Sequence, residues 1–147
     1  MPHIIRKLQP QDHAAWKRLF AAYVAFYRAE VSDEVIELTW QRTIGPAPSF
    51  IGLAAVDGDG ALAGFAMALL HRSTWSPTWY CYLEDLFVDP AVRSQGIGRA
   101  LIQAVYREAD AAGATRTYWV TETENDPARR LYDDVATLAP FVQYRRA

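Results

Sequence analysis

One stretch of the 147-residue chain leaves few folds open. An apolar run, Tyr82-Leu83-Glu84-Asp85-Leu86-Phe87-Val88, stops at Asp89-Pro90. It is followed by Arg93-Ser94-Gln95-Gly96-Ile97-Gly98-Arg99 and a long amphipathic segment. Leu, Phe, Val and Tyr in a cluster closed by Asp-Pro read as a strand. Past the glycines, Ile97, Ala100, Leu101, Ala104, Val105, Ala109 and Ala112 recur at helical spacing, and Gly113 stands where a C-terminal cap belongs. A strand, a glycine loop and a helix in that order bring unpaired N–H groups and the positive end of a helix dipole to one junction. The glycines let an anion approach those N–H groups, and Arg93 and Arg99 add charge at the rim. The stretch predicts a pyrophosphate cradle.

Two common cradles are excluded by spacing. No Gly-x-x-x-x-Gly-Lys-Ser/Thr run is present, and Gly96-x-Gly98 meets Leu101 where a dinucleotide turn needs its third glycine. Composition narrows the rest. Half the residues are hydrophobic and 13% aromatic, so a packed globule with one core is expected across 1–147. A net charge of -2 argues against a general nucleic-acid binder. The one cysteine, Cys81, makes an internal disulfide impossible and points to a cytoplasmic protein. The first residues lack a signal peptide's apolar core, and no run approaches the length of a membrane span. His3, His13 and His71 lack metal-ligand spacing, so no metal is expected.

The remaining elements follow in order. His3 to Leu8 reads as a strand. Pro10-Gln11-Asp12 opens a helix whose apolar stripe is Trp16, Leu19, Phe20, Tyr23, Val24 and Tyr27. Tyr23 and Tyr27 fit either core packing or the lining of an acceptor pocket. Ser32 caps a second helix, which ends at Gly45-Pro46. Its acids Glu30, Asp33, Glu34 and Glu37 read as a solvated face; beside a substrate mouth they would favour a cationic amine. Phe50–Val56 and Ala61–Leu70 form a hairpin through Asp57-Gly58-Asp59-Gly60. Trp79 begins the central strand. Thr115–Thr121 is the next strand, parallel to it because a helix crosses between them, and the two are expected to splay into a cleft. Asp126 is read as the cap and Pro127 as the first residue of a last helix, in which Ala128 and Tyr132 share a face. Phe141–Tyr144 is read as a final strand.

The pattern Val88-x-Pro90-x-x-Arg93-x-x-Gly96-x-Gly98, with Asn125-x-x-Ala128-x-x-x-Tyr132 behind it, resembles the two signatures of the GNAT N-acetyltransferase superfamily. Tyr82 to Val88 and Asn125 to Tyr132 are most similar to its polyamine and yeast histone/polyamine acetyltransferases. The resemblance implies an α/β fold with a mixed sheet, ordered β-α-α-β-β-β-α-β-α-β, splayed between its central parallel strands. It implies a single acetyltransferase domain that takes acetyl-CoA as cosubstrate. Leu86, Phe87 and Val88 would offer backbone hydrogen bonds to the acetyl group and pantetheine arm. Arg93, Ser94, Gln95, Gly96, Ile97, Gly98 and Arg99 would hold the pyrophosphate. Asn125 would contact the pantetheine, and Ala128 would leave room for it. Tyr132 would be the general acid, and Glu84 would act on the acceptor amine directly or through water. After Tyr132 many relatives reach Gly-Phe, whereas this chain reads Val135-Ala136-Thr137-Leu138-Ala139-Pro140-Phe141, so the last turn departs from the pattern.

The chemistry calls for the same parts. An alkylammonium titrates near 10.4, so about one amine in a few thousand is neutral at pH 7 and a base such as Glu84 must take its proton. Backbone N–H groups stabilise the oxyanion that attack on the thioester builds. A thiolate leaving group accepts a proton from a phenol such as Tyr132. The expected partner is a small-molecule amine or a lysine-bearing peptide, with neither nucleic acid nor membrane. A homodimer is compatible with this reading, with Trp75, Trp79 and Tyr80 in its interface or in an acceptor pocket. A non-catalytic acyl-CoA sensor and a nucleotide-binding regulator are the competing functions. An acetyl-cysteine route through Cys81 lacks a partner base in the sequence and is disfavoured.

Overall fold

The computed structural model describes residues 3–46 and 49–147. In chain order they form β1 (Ile4–Lys7), α1 (His13–Phe26), α2 (Asp33–Ile44), β2 (Phe50–Val56), β3 (Leu62–Ser73), β4 (Ser76–Val88), α3 (Ile97–Ala111), β5 (Ala114–Tyr118) and α4 (Asp126–Val135). Single 3-10 turns stand at Pro10–Asp12 and Pro90–Val92. The sheet order is β1-β2-β3-β4-β5. Neighbours are antiparallel up to β4, and β4 pairs with β5 in parallel, as the crossover through α3 dictates.

Strand alternation sorts the core onto two faces. Leu53, Ala55, Ala66, Ala68 and Leu83 pack with Ile97, Leu101, Ile102 and Val105 of α3. Ala54, Val56, Phe65, Met67 and Phe87 pack with Trp16 and Phe20 of α1 and Trp40 of α2. Trp16 is fully buried, its ring centred 5.0 Å from both Phe20 and Trp40. Leu101, Ile102 and Val105 are also fully buried; each such side chain contributes about 1.5–3 kcal/mol.

Local signals behave as their chemistry requires. The Ser32 hydroxyl accepts the Val35 N–H at 3.2 Å and caps α2. In the β2–β3 hairpin the Asp57 side chain accepts the N–H groups of Asp59 and Ala61, at 2.8 and 3.0 Å, while Gly60 supplies a φ of +83°. Asp12 is buried and accepts the Arg6 guanidinium through both oxygens, at 2.7 and 3.0 Å, tying β1 to the start of α1.

Two long-range features shape the site. Pairing of β4 with β5 begins at Trp79–Ala114 and stops at Tyr82–Tyr118, yet β4 continues to Val88. The strand expected to reach Thr121 therefore ends at Tyr118, and the two strands diverge. Against β3, Asp85 faces Met67 and Leu83 faces Ala68, so Glu84 is an extra residue, a bulge. The extra residue turns Asp85 to the α1 face, where strict alternation would have left it with Leu83 on the α3 face.

Two expectations are corrected. Asn125, not Asp126, holds the N-cap position of α4, and Pro127 is its second residue. The final strand is absent. Residues 137–147 make no main-chain hydrogen bond with another described residue, and Phe141, Val142 and Tyr144 are exposed. Apolar alternation makes a strand only where an edge lies within reach. Here α4 exits into extended backbone at Ala136 (φ -151°, ψ -175°), and 136–147 holds no Gly, Asn or Asp to turn the chain back.

Candidate active site

The divergence of β4 and β5 opens a wedge. One wall is β4 from Leu83 to Val88, paired with β3 on its other side. Alternate main-chain groups of such a strand point away from its partner, so this wall offers free hydrogen-bonding groups. Leu86, Phe87 and Val88 lie in this stretch of β4. The opposite wall is 119–124 with α4, which carries Asn125, Ala128 and Tyr132.

The N-terminus of α3 closes one end of the wedge. Ser94 and Gly96 are left-handed, with φ of +68° and +77°, and Ile97 begins the helix. A Cβ added at Gly96 would meet nothing within 4 Å, and one at Gly98 would meet only the Leu131 side chain, at 3.3 Å. The loop is thus open where a ligand has to approach, and the first N–H groups of α3 have no partner within the helix. Ser94 and Gln95 are exposed, whereas the Ile97 side chain is buried in the core, so only its main chain is at the loop. This arrangement fits a diphosphate. The two arginines are engaged elsewhere. Arg93 Nε donates to the Val88 carbonyl at 3.1 Å, and its guanidinium lies 5.4 and 5.5 Å from the rings of Phe87 and Phe26. Arg99 bonds Asp134 at 3.1 Å, joining α3 to α4.

Tyr132 is half-buried, its ring 5.4 Å from Trp119. Burial pushes its hydroxyl up to about 12, and nearby Tyr27 adds to the rise. Tyr27, at the end of α1, packs edge-on against Tyr23 at 5.3 Å. Its own hydroxyl is raised by burial and by the charges of Glu122 and Asp85, with Arg93 pulling it down. Tyr27 thus faces both the α4 wall and the acids of β4.

The acids of β4 are Glu84 and Asp85. Glu84 is exposed at the bulge and Asp85 is half-buried. Burial pushes the Asp85 carboxyl up to about 6; the Tyr23 hydroxyl lowers it and neighbouring Glu84 raises it. Tyr23 packs on Phe20, Phe65 and Phe87 while its hydroxyl meets Asp85, so it links the core to the carboxylate of β4. Tyr82 lies beside Glu84 and stacks 5.1 Å from Tyr118, whose hydroxyl is 2.7 Å from His71 Nε2.

Sequence reasoning did not single out Asp85, Tyr82, Tyr118 or Glu122, and it read His71 only as lacking metal-ligand spacing. The only hint was that Asp85 adjoins Glu84 in one run. The acids of α2 lie apart from this mouth: Asp33 and Glu37 pair with Lys17 at 2.7 and 2.8 Å, and Glu37 with His13. Cys81 is fully buried and burial raises its thiol, so no reactive thiolate is available. Among the described residues no group of three or more His, Cys, Asp or Glu is placed to hold a metal, and no helix is long and apolar enough to cross a membrane.

Solved structures share this architecture. The aminoglycoside N-acetyltransferase AAC(6')-Iy in complex with CoA superposes with a TM-score of 0.85 at 21% identity, over 99% of this chain and 95% of that one. The same protein with the bisubstrate analogue CoA-S-monomethyl-acetylneamine gives 0.84 at 20%, over 100% and 99%. At these identities the likeness is one of fold alone. In sequence, the D-amino-acid N-acetyltransferase HPA3 of Saccharomyces cerevisiae is 35% identical over 144 residues, 97% of this chain and 89% of that protein. The aminoglycoside N(6')-acetyltransferase type 1 of Stenotrophomonas maltophilia is 32% identical over 104 residues, 69% of this chain and 63% of that protein. The model of the acetyltransferase (GNAT) family matches residues 16–135, and the chain belongs to that family. It is an acetyl-CoA-dependent N-acetyltransferase.

Proposed function

We propose that residues 1–147 act as one domain that acetylates a primary amine on a small cationic molecule or a lysine side chain. The observation that carries this reading is the placing of two carboxylates, Glu84 and Asp85, on the β4 wall of a cleft whose α4 wall presents Tyr132. Acids and tyrosine rings at one mouth suit an ammonium, through charge and cation–π attraction. The relatives named for D-amino acids and for aminoglycosides both act on amines, which supports the class without choosing its member.

Acetyl-CoA brings an activated acetyl group, and the chain's own residues do the rest. The main chain of Leu86–Val88 aligns the pantetheine arm, with Asn125 and Ala128 opposite. The loop from Arg93 to Arg99 receives the diphosphate on its N–H groups. Glu84, the exposed acid, meets the ammonium first; Asp85, titrating near 6, is better matched to take its proton at neutral pH. The amine attacks the thioester carbonyl, the C–S bond breaks, and Tyr132 gives its proton to the departing thiolate. Tyr23 and Tyr27 line the acceptor side.

The test is thiol release from acetyl-CoA with a panel of polyamines, amino acids of both hands, aminoglycosides and basic peptides. Turnover with one cationic class is expected. Tight CoA binding with no turnover across the panel would instead leave a non-catalytic acyl-CoA sensor.

A further inference from the structure

We propose, on the reading that Glu84 and Asp85 receive the reacting amine, that Tyr118 forms a second subsite of the acceptor mouth, its hydroxyl proton committed to His71. The subsite takes a hydroxyl or amino group that the acceptor carries a few bonds from that amine.

The two side chains meet across β4. On the sheet face that α1 and α2 cover at Phe65, Met67 and Phe87, alternation continues along β3 to Leu69 and His71. Along β4, past the bulge, it continues to Tyr82 and Tyr80. These four side chains lie outside the core cluster formed with the helices and are half-buried. His71 is opposite Tyr80 in register and Tyr118 is beside Tyr82, so His71 and Tyr118 reach over β4 to each other. The His71 ring stands edge-on to Tyr80 at 5.8 Å and to Tyr118 at 5.7 Å, and Tyr118 lies 5.1 Å from Tyr82. This floor of rings runs to Glu84, which neighbours the Tyr82 hydroxyl.

The hydrogen bonds fix where the protons lie. His71 Nδ1 is 2.8 Å from the Arg72 carbonyl, which can only accept, so Nδ1 carries a proton. In the uncharged ring Nε2 is then an acceptor, and the Tyr118 hydroxyl, 2.7 Å away, donates to it. With its one proton engaged, that hydroxyl offers only lone pairs to the cleft. A group that meets it there has to bring an N–H or O–H; an alkyl tail forfeits the bond.

Charge and reach suit the same class. Glu84 stands at one end of the floor, and at the other the Arg116 guanidinium lies 4.6 Å from the Tyr80 ring. Burial raises the Tyr118 hydroxyl, Arg116 lowers it and Glu84 raises it, so both charges are felt there. Between an anion and a cation a neutral hydroxyl fits as well as a second ammonium. Tyr118 is one strand across and two residues along from Glu84, a backbone span of about 8 Å. An extended five-carbon chain has about that reach.

Calorimetry on the CoA-loaded chain tests this with pentylamine, aminopentanol and cadaverine. No turnover is needed, because CoA carries no acetyl group. Aminopentanol and cadaverine should each bind about fivefold tighter than pentylamine, the scale of one added hydrogen bond. The preference should fall to about one in Tyr118→Phe and partway in His71→Leu, where the hydroxyl is free to turn. CoA affinity within about twofold of wild type checks that the cleft of each variant is intact. His71 touches no substrate and is a positioning residue, so its own signature is spectroscopic. Imidazole nitrogen NMR should find a proton on Nδ1 and an Nε2 resonance that moves in Tyr118→Phe. Equal affinities in wild type, a gain for cadaverine alone, a preference that survives Tyr118→Phe, or no binding at all overturns the proposal. Thiol release from acetyl-CoA separates the subsite from the chemistry. In wild type the gain should fall on KM and not on kcat. The binding preference with no thiol release from any acceptor keeps the subsite and removes the acetyl-transfer reading. Thiol release at one KM for all three removes the subsite and keeps that reading.

Discussion

Tyr132 has its hydroxyl pushed up to about 12 by burial, so at neutral pH it keeps its proton and is available as a donor. Tyr132→Phe removes that proton and little else. Turnover should fall about 10²-fold or more, the scale of a positioned general acid, while calorimetry finds CoA affinity within about twofold of wild type. Equal turnover across the pH range would take Tyr132 out of the chemistry. Asp85 carries the opposite kind of shift. Its carboxyl ionises at 3.8 in the unfolded chain and near 6 in the fold, so the folded state binds the proton more tightly. Between about pH 4 and 6 the group's contribution to stability is lost as pH rises. Asp85→Asn should therefore melt a few degrees higher than wild type at pH 8 and level with it at pH 4. If Asp85 takes the amine's proton, wild-type kcat/KM rises through pH 6 and that limb vanishes in Asp85→Asn but survives in Glu84→Gln. The reverse pattern gives the base role to Glu84.

At the scale of elements, the loop before α3 was the most legible part of the molecule. Its helix follows from local periodicity, and the glycines that bracket that helix, Gly96 before it at +77° and Gly113 after it at +82°, occupy the left-handed region that penalises a side chain. Gly98 is different, because its backbone is ordinary and the added Cβ meets only the end of the Leu131 side chain. Gly98→Asp should hence fold with a normal circular dichroism spectrum and bind no CoA at millimolar ligand, since the carboxylate would lie at the diphosphate. Normal CoA affinity would show the cradle misplaced. The motif did not reveal where Arg93 points, because that depends on a carbonyl at the end of β4 and on rings of α1 and β4. Its contacts suggest that it braces the loop. Arg93→Lys keeps the charge but loses the Nε donor and the flat stacking surface. It should weaken CoA binding nearly as much as Arg93→Ala, about tenfold in calorimetry; a Lys variant with wild-type affinity would make the charge itself the cause. The bulge at Glu84 and the early end of β5 were illegible for a related reason: each is fixed by pairing between distant strands, and one extra residue reverses which face Asp85 occupies.

Across the whole molecule the two walls of the cleft differ in how firmly they are held. The β4 wall belongs to a sheet covered on both faces, with Leu83 and Phe87 buried. The α4 wall has no buried residue of its own and is fastened by few links, among them the Tyr106 hydroxyl to the Val135 carbonyl at 2.8 Å and the Arg99–Asp134 pair. Exposed ion pairs of that kind contribute at most about 1 kcal/mol. A ligand that bridges the walls should accordingly stabilise the fold and slow the opening of α4 more than that of the sheet. CoA at a hundred times its dissociation constant adds about 2.7 kcal/mol, or roughly 5–10 °C in melting temperature for a chain of this length. Amide exchange should slow most in 119–136 and little in β2 and β3, which open only with the whole fold. In Gly98→Asp neither change should occur. A CoA-induced rise in melting temperature with exchange unchanged in 119–136 would mean that the ligand leans on β4 and α3 alone. Asn125, Ala128 and Tyr132 would then have to be reached by the acceptor, not by the acyl arm.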